Sequence, residues 1–75
     1  MAEEISRPFD LLNSIVGKSA MVKLKGNMQL RGILRAFDQH MNLVLEDADE
    51  LKDDQKVARI GTVIVRGDNI LYVSP

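Results

Sequence analysis

The chain reads as an all-β domain preceded by one helix, its sheet antiparallel and strongly curved. Three observations carry that expectation. Beyond Ser19 the apolar residues recur at every second position, the period of a strand with one buried face. Turn signals at Gly26-Asn27 and Arg66-Gly67-Asp68 separate the apolar runs. A single glycine, Gly32, interrupts the longest run, as a strand needs when it bends to serve two surfaces of a small closed barrel.

Seventy-five residues, 45% hydrophobic and 28% charged, suit one globular domain over 1–75 and exclude a disordered chain. Such a small core supplies only roughly 3–5 kcal/mol of net stability, so reinforcement is expected. There is no cysteine for disulfides or a thiolate zinc site, and the single histidine cannot build a metal centre with others of its kind. No metal and no cofactor are therefore expected, and oligomerisation is the reinforcement left. The lack of cysteine fits a reducing cytoplasm. "MAEEISRPF" has no apolar stretch, and no run approaches the roughly 18 residues of a membrane span, so a soluble chain without membrane contact is expected. With Lys+Arg 10 against Asp+Glu 11 the formal charge is -1, too low for sequence-blind adhesion to nucleic acid. Any nucleic-acid site must concentrate its cations locally.

The elements follow in order. "SRPFDLLNSIVGK" predicts a helix over about 8–16: Pro8 suits the first turn, Asp10 faces the positive end of the dipole, and Gly17 supplies the stop. Phe9, Leu12 and Val16, joined by Leu11 and Ile15, form its apolar face. Val22 and Leu24 then alternate with Lys23 and Lys25 up to the turn at Gly26-Asn27, a first hairpin. From Met28 to Asp38 the apolar parity is expected to change at Gly32, since Ile33 and Phe37 oppose Met28 and Leu30. "MNLVLED" alternates again, with Met41, Leu43 and Leu45 opposite Asn42, Val44 and Glu46. "DADELKDDQK" reads as a solvated loop at a hairpin tip. "VARIGTVIV" and "NILYV" are β-branched strands around a tight turn in which Gly67 takes a positive φ. These last strands are apolar at both parities, which calls for cover along their edges. A ring in which the fourth strand of one copy pairs with the fifth of the next would use both edges.

His40, Asn42 and Arg66 interrupt this strand material. Alone, each has an ordinary role: a backbone-bonded hairpin histidine, a local amide cap, a solvated arginine. Together they suit one task. Unstacked bases are held by a flat side chain on each face and a hydrogen-bonding group at the edge, and imidazole, guanidinium and amide provide these. An Asn amide can donate to a uracil carbonyl and accept from its N3–H, an N–H that cytosine lacks. The acidic pairs in 46–54 sit among lysines without nucleophile or orienting partner, so neither acid–base catalysis nor a magnesium site is read there. "RGD" matches an adhesion tripeptide in letters only.

"GILRAFDQHMNLVLEDADE" and "VIVRGDNILYVSP", following a Pro-initiated helix, resemble the two motifs of the Sm and Sm-like family over nearly the whole chain. "RGDN" in the second resembles the archaeal and eukaryotic branches, since the bacterial branch carries a Lys-His pair there. The resemblance implies a helix and a five-stranded, strongly bent antiparallel SH3-like barrel over about 19–74, assembled into a homo-oligomeric ring, usually of seven copies. It implies U-rich single-stranded RNA as partner at the inner rim, no small-molecule substrate, no catalysis, and a part in RNA processing or ribonucleoprotein assembly. Residue by residue, it implies that His40 stacks on the base, Asn42 bonds the uracil edge and Arg66 lies on the other face. Gly67 and Asp68 support the second loop, and Asp38 anchors the first, with Met41 as core filler beside it. Histidine stands where many eukaryotic relatives carry an aromatic ring, which weakens the stack.

One such pocket binds weakly, since stacking contributes about 1–3 kcal/mol per base. Copies arrayed in a ring raise affinity through effective concentration and gather the arginines into a positive rim. Arg7 and Lys18 are the cations that the helix face offers a second RNA surface. The competing reading is a monomeric SH3-like module that binds peptides. Such a module wants an aromatic groove, and two Phe, one Tyr and no Trp are few for it.

Overall fold

The computed structural model describes residues 8–75, so the Arg7 expectation lies outside the described residues. In chain order the elements are α1 (Pro8–Ile15), β1 (Ser19–Leu24), β2 (Met28–Phe37), β3 (Leu43–Lys52), β4 (Gln55–Val65), a 3-10 turn (Gly67–Asn69) and β5 (Ile70–Ser74). The strands form one antiparallel sheet in the order β4-β3-β2-β1-β5. This is the helix and five-stranded bent sheet that the period of the sequence predicts. β4 and β5, however, are the two outer strands, and each leaves one edge unpaired among the described residues.

α1 ends one residue earlier than expected, where Gly17 takes φ 87°. The Gly17 N–H donates to the Leu34 carbonyl at 2.7 Å and the Leu34 N–H to the Lys18 carbonyl at 3.0 Å, so the helix end is stitched to β2. Leu12 and Ile15 point into the sheet and are buried, while Phe9 and Val16 lie on the flanks of that face, each 40% exposed. Phe9 meets Phe37 edge-on, with centroids 5.5 Å apart. The core joins these helical residues to Ala20, Val22, Leu30, Leu34, Leu43, Leu45, Ala48 and Val65, and among the described residues no polar side chain is buried with them.

Curvature comes from bulges, and here the structure corrects two expectations. Leu30, Gly32 and Leu34 all face inward, so the parity of β2 holds through Gly32 and changes only after Leu34. Pairing with β3 slips at both places, between Arg31 and Ile33 and between Leu34 and Ala36. Gly32 is required by crowding instead: a Cβ there would lie 3.0 Å from the Glu46 carbonyl and 3.1 Å from the Ala48 Cα.

The second correction concerns the charged stretch read as a loop. It is a continuous hairpin, with β3 running to Lys52 and β4 starting at Gln55. Only Asp53 and Asp54 turn, both at positive φ (53° and 65°), the two-residue arrangement whose twist matches antiparallel strands. A bulge at Asp47 (φ 53°) resets the parity so that Ala48 follows Leu43 and Leu45 into the core. The charged residues pair across the strands on the wet face, Arg59 with Asp47 at 3.0 Å and Lys56 with Asp49 at 3.6 Å. The absence of Gly and Pro from this stretch was a strand signal.

Gly32→Val should destabilise the fold by about 1–3 kcal/mol, the cost of overpacking a tight site, read as a lower urea midpoint at an unchanged slope. Parent-like stability would mean that β2 and β3 can part at this point.

Candidate nucleic-acid interface

Two connections meet at one end of the sheet: residues 38–42 between β2 and β3, and residues 66–69 between β4 and β5. Each is shaped by its own sequence. In the first, the Asp38 carboxylate folds back on the backbone, its Oδ1 accepting from the N–H of His40 at 2.9 Å and of Asn42 at 3.0 Å. The backbone closes the same turn, with the Met41 N–H donating to the Asp38 carbonyl at 3.0 Å and the Asp38 N–H to the Asn42 carbonyl at 3.2 Å. Met41 adopts φ 65° and packs, half-buried, against the core. The second connection is a 3-10 turn in which the Asn69 N–H donates to the Arg66 carbonyl at 3.1 Å.

Asn42 joins the two. Its Nδ2 donates to Asp38 Oδ2 at 3.0 Å and its Oδ1 accepts from the Gly67 N–H at 2.8 Å. A carboxylate can only accept and a backbone N–H can only donate, so these two bonds together set which end of the amide points where. Gly67 is glycine for a reason other than the expected one. It does not take a positive φ; it lies so close to the first loop that a Cβ would collide with the His40 carbonyl oxygen and come within 3.0 Å of the Met41 carbonyl.

The result is a cavity of about 460 Å³ lined by His40, Asn42, Ile64, Arg66 and Asp68. All three residues expected to touch a base are therefore at one site, on connections just beyond the strands. Arg66 reaches Asp68 at 3.4 Å, with side chains 76% and 67% exposed, an ion pair in water that contributes little and leaves the guanidinium free to move. Asp38 is occupied by the loop, and Met41 and Gly67 support it from behind. Ile64 was not anticipated. It stands near the end of β4, two residues before Arg66, and is 69% exposed, so the alternation Ile64-Val65-Arg66 around the buried Val65 is the signal that would have found it.

The hydrogen bond from the Asn42 amide holds the Asp38 carboxyl below the usual carboxylate value, helped by the backbone N–H groups of Asn42 and His40 and by the nearby His40 ring, against a smaller desolvation in the opposite direction.

A family model of the LSM domain matches residues 10–75. The chain belongs to the LSM family. An Sm-like protein of Methanococcoides burtonii is 53% identical over 70 residues, covering 93% of this chain and 97% of its own. Among solved structures, the Sm protein of Pyrococcus abyssi in complex with a uridine heptamer superposes with TM-score 0.90 at 40% identity, covering 93% of this chain and 99% of that one. The SmAP1 heptamer of P. aerophilum gives TM-score 0.86 at 44% identity, with 96% of this chain covered. The helix and bent sheet of this LSM chain are thus the Sm fold.

Because the Asp38 carboxyl is depressed, the loop bonds it accepts are present above the ordinary Asp value of about 3.9 and are lost as the pH falls through the lower, folded value. Amide shifts of His40 and Asn42 followed by NMR should accordingly titrate with a midpoint below that of an unperturbed Asp. A midpoint at or above it would contradict the loop geometry.

Proposed function

We propose that this chain is a non-catalytic scaffold that assembles into a ring, of seven copies as in its heptameric relative, and holds uridine-rich single-stranded RNA at the pocket described above. The observation that carries this reading is the Asn42–Gly67 bond, which brings imidazole, amide and guanidinium from two distant segments to one cavity. In this reading His40 and Arg66 cover the two faces of a base and Asn42 meets its edge, while Asp38, Met41, Gly67 and Asp68 maintain the loops. The P. abyssi relative with its bound uridine heptamer supports the choice of ligand. Single-stranded RNA is available in the cytoplasm, and the proposal assigns the protein there, with a part in RNA processing or ribonucleoprotein assembly. No helix among the described residues is long and apolar enough to cross a membrane.

Assembly rests on the free edges. β4 exposes Val57, Ile60 and Ile64, and β5 exposes Leu71 and Tyr72. Beside β5 an apolar groove of about 270 Å³ opens against α1, lined by Leu11, Ile70, Tyr72 and Val73 among others. An edge this long and apolar is an aggregation hazard unless paired. Pairing β4 of one copy with β5 of the next covers both edges, and a closed ring leaves none free.

His40→Ala and Arg66→Ala should each weaken binding to an oligouridine heptamer at least tenfold, since about 1–3 kcal/mol of stacking is removed from every copy. Native mass spectrometry should find the ring mass unchanged in both. Normal binding by both variants would refute the site.

Tyr72→Asp places a charge on the proposed seam at an exposed position, so the subunit should remain folded while sedimentation shows smaller species. Oligouridine affinity should then fall by roughly 10²–10⁴, the contribution of multivalency. A wild-type chain that sediments as a single subunit would favour the peptide-binding module instead.

A further inference from the structure

An Asn amide has two N–H groups and two carbonyl lone pairs. In this structure Asp38 takes one N–H of Asn42 and the Gly67 N–H takes one lone pair. One N–H and one lone pair are left, and no described residue is bonded to either. Asn42 borders the cavity together with His40 and Arg66. A free Asn side chain can exchange its ends by rotating about its last bond and so read a donor–acceptor pair in either order. Asn42 cannot, because a turned amide would set an N–H against the Gly67 N–H and a carbonyl oxygen against the Asp38 carboxylate. The heavier loss falls on the part-buried Gly67 N–H, while the exposed Asp38 carboxylate would face an oxygen in place of a donor.

We infer that the pocket reads a lactam edge, an N–H beside a carbonyl, and therefore takes guanine and hypoxanthine as well as uracil while rejecting cytosine. This rests on the uridine-binding reading above and extends it from one base to a chemical class. In uracil the N3–H faces the free lone pair of Oδ1 and a ring carbonyl faces the free N–H of Nδ2. Guanine and hypoxanthine present the same order with N1–H and O6. Cytosine presents a ring nitrogen acceptor and an amino donor, the reverse order, so in the same pose two acceptors and two donors would be opposed. Turned over and shifted, cytosine could set its amino N–H against Oδ1 and its ring nitrogen against Nδ2, but that register carries the glycosidic bond away from the place it takes when uracil makes the same contact.

Size does not exclude the larger bases. The cavity of about 460 Å³ lies within the roughly 300–1,000 Å³ that holds ligands bigger than a base. Its two flat walls are side chains with exposed heads, His40 and Arg66, and neither is clamped by packing. A second fused ring extends the stacked surface and leaves the edge contact in place. Stacking itself is tolerant of base identity, so the edge decides between bases.

The test uses the wild-type protein and four labelled RNA heptamers: all uridine, and the same strand with its central three bases replaced by inosine, by cytidine or by 3-methyluridine. Inosine avoids the self-association of guanine runs, and 3-methyluridine keeps the uracil ring but blocks its N–H. Fluorescence anisotropy at one salt concentration should place inosine within about threefold of uridine. Cytidine and 3-methyluridine should each bind at least tenfold more weakly, as the loss of a good bidentate contact implies. If uridine binds and inosine is as poor as cytidine, the lactam class is wrong and the uridine pocket stands. If 3-methyluridine binds as well as uridine, the edge is not read and the inference fails. If the all-uridine strand does not bind, the functional proposal fails and this inference with it.

Discussion

The bond between the Asn42 amide and the Gly67 N–H is the constraint on which the site depends. The two loops belong to different hairpins, with the bonded residues 25 apart in the chain, and the cavity of His40, Asn42 and Arg66 is lined from both. What joins them is one side-chain oxygen and one backbone hydrogen, together with a glycine whose lack of a Cβ lets the second loop lie against the His40 carbonyl. Asp38 completes the arrangement from the other side by taking the Asn42 amide hydrogen and two backbone N–H groups. The fold needs none of these groups as core, since among the described residues the buried cluster is wholly apolar. Polar loop chemistry and apolar packing are thus divided cleanly, and a change in one need not disturb the other.

The same division explains how a chain of net charge -1 can serve an anionic ligand. Most of its cations are spread along the outer faces of strands, where Arg35 pairs with Glu46, Lys56 with Asp49 and Arg59 with Asp47. Arg66 is placed differently, lining the cavity and paired with an exposed aspartate. In the proposed ring the copies of Arg66 would be brought around a common axis, and a weak, local positive potential would become a continuous one. The small core and the unpaired outer strands point to assembly for a second reason: burying the apolar edges adds surface that the isolated chain is too short to bury.

Much of this was legible in the residues. The helix and its stop at Gly17, the hairpin turn at Gly26-Asn27, the inward Leu43 and Leu45 and the double-sided β4 and β5 all follow from period and turn chemistry, which are local. So does the choice of His40, Asn42 and Arg66, once three residue types suited to a base were found interrupting strand material. The errors share a cause. The stretch from Asp47 to Lys56 looks like a loop because charge dominates it, yet a single bulged residue, Asp47, shifts the parity and lets Ala48 and the wet-face ion pairs fit a strand. Gly32 and Gly67 were each given a conformational reason, and both proved to be glycine because another segment passes too close.

The amino-acid sequence by itself determined the class of the fold, the presence of two apolar edges and the choice of His40, Asn42 and Arg66 as candidates, because each is written in spacing or in side-chain chemistry along a few consecutive residues. Tertiary structure alone decided that the two loops share one cavity, that Ile64 lines it, and that Asn42 has one donor and one acceptor left to offer in a set order. Those features depend on strand register, and register here is fixed by bulges and close backbone approaches between segments far apart in the chain, which no local pattern records.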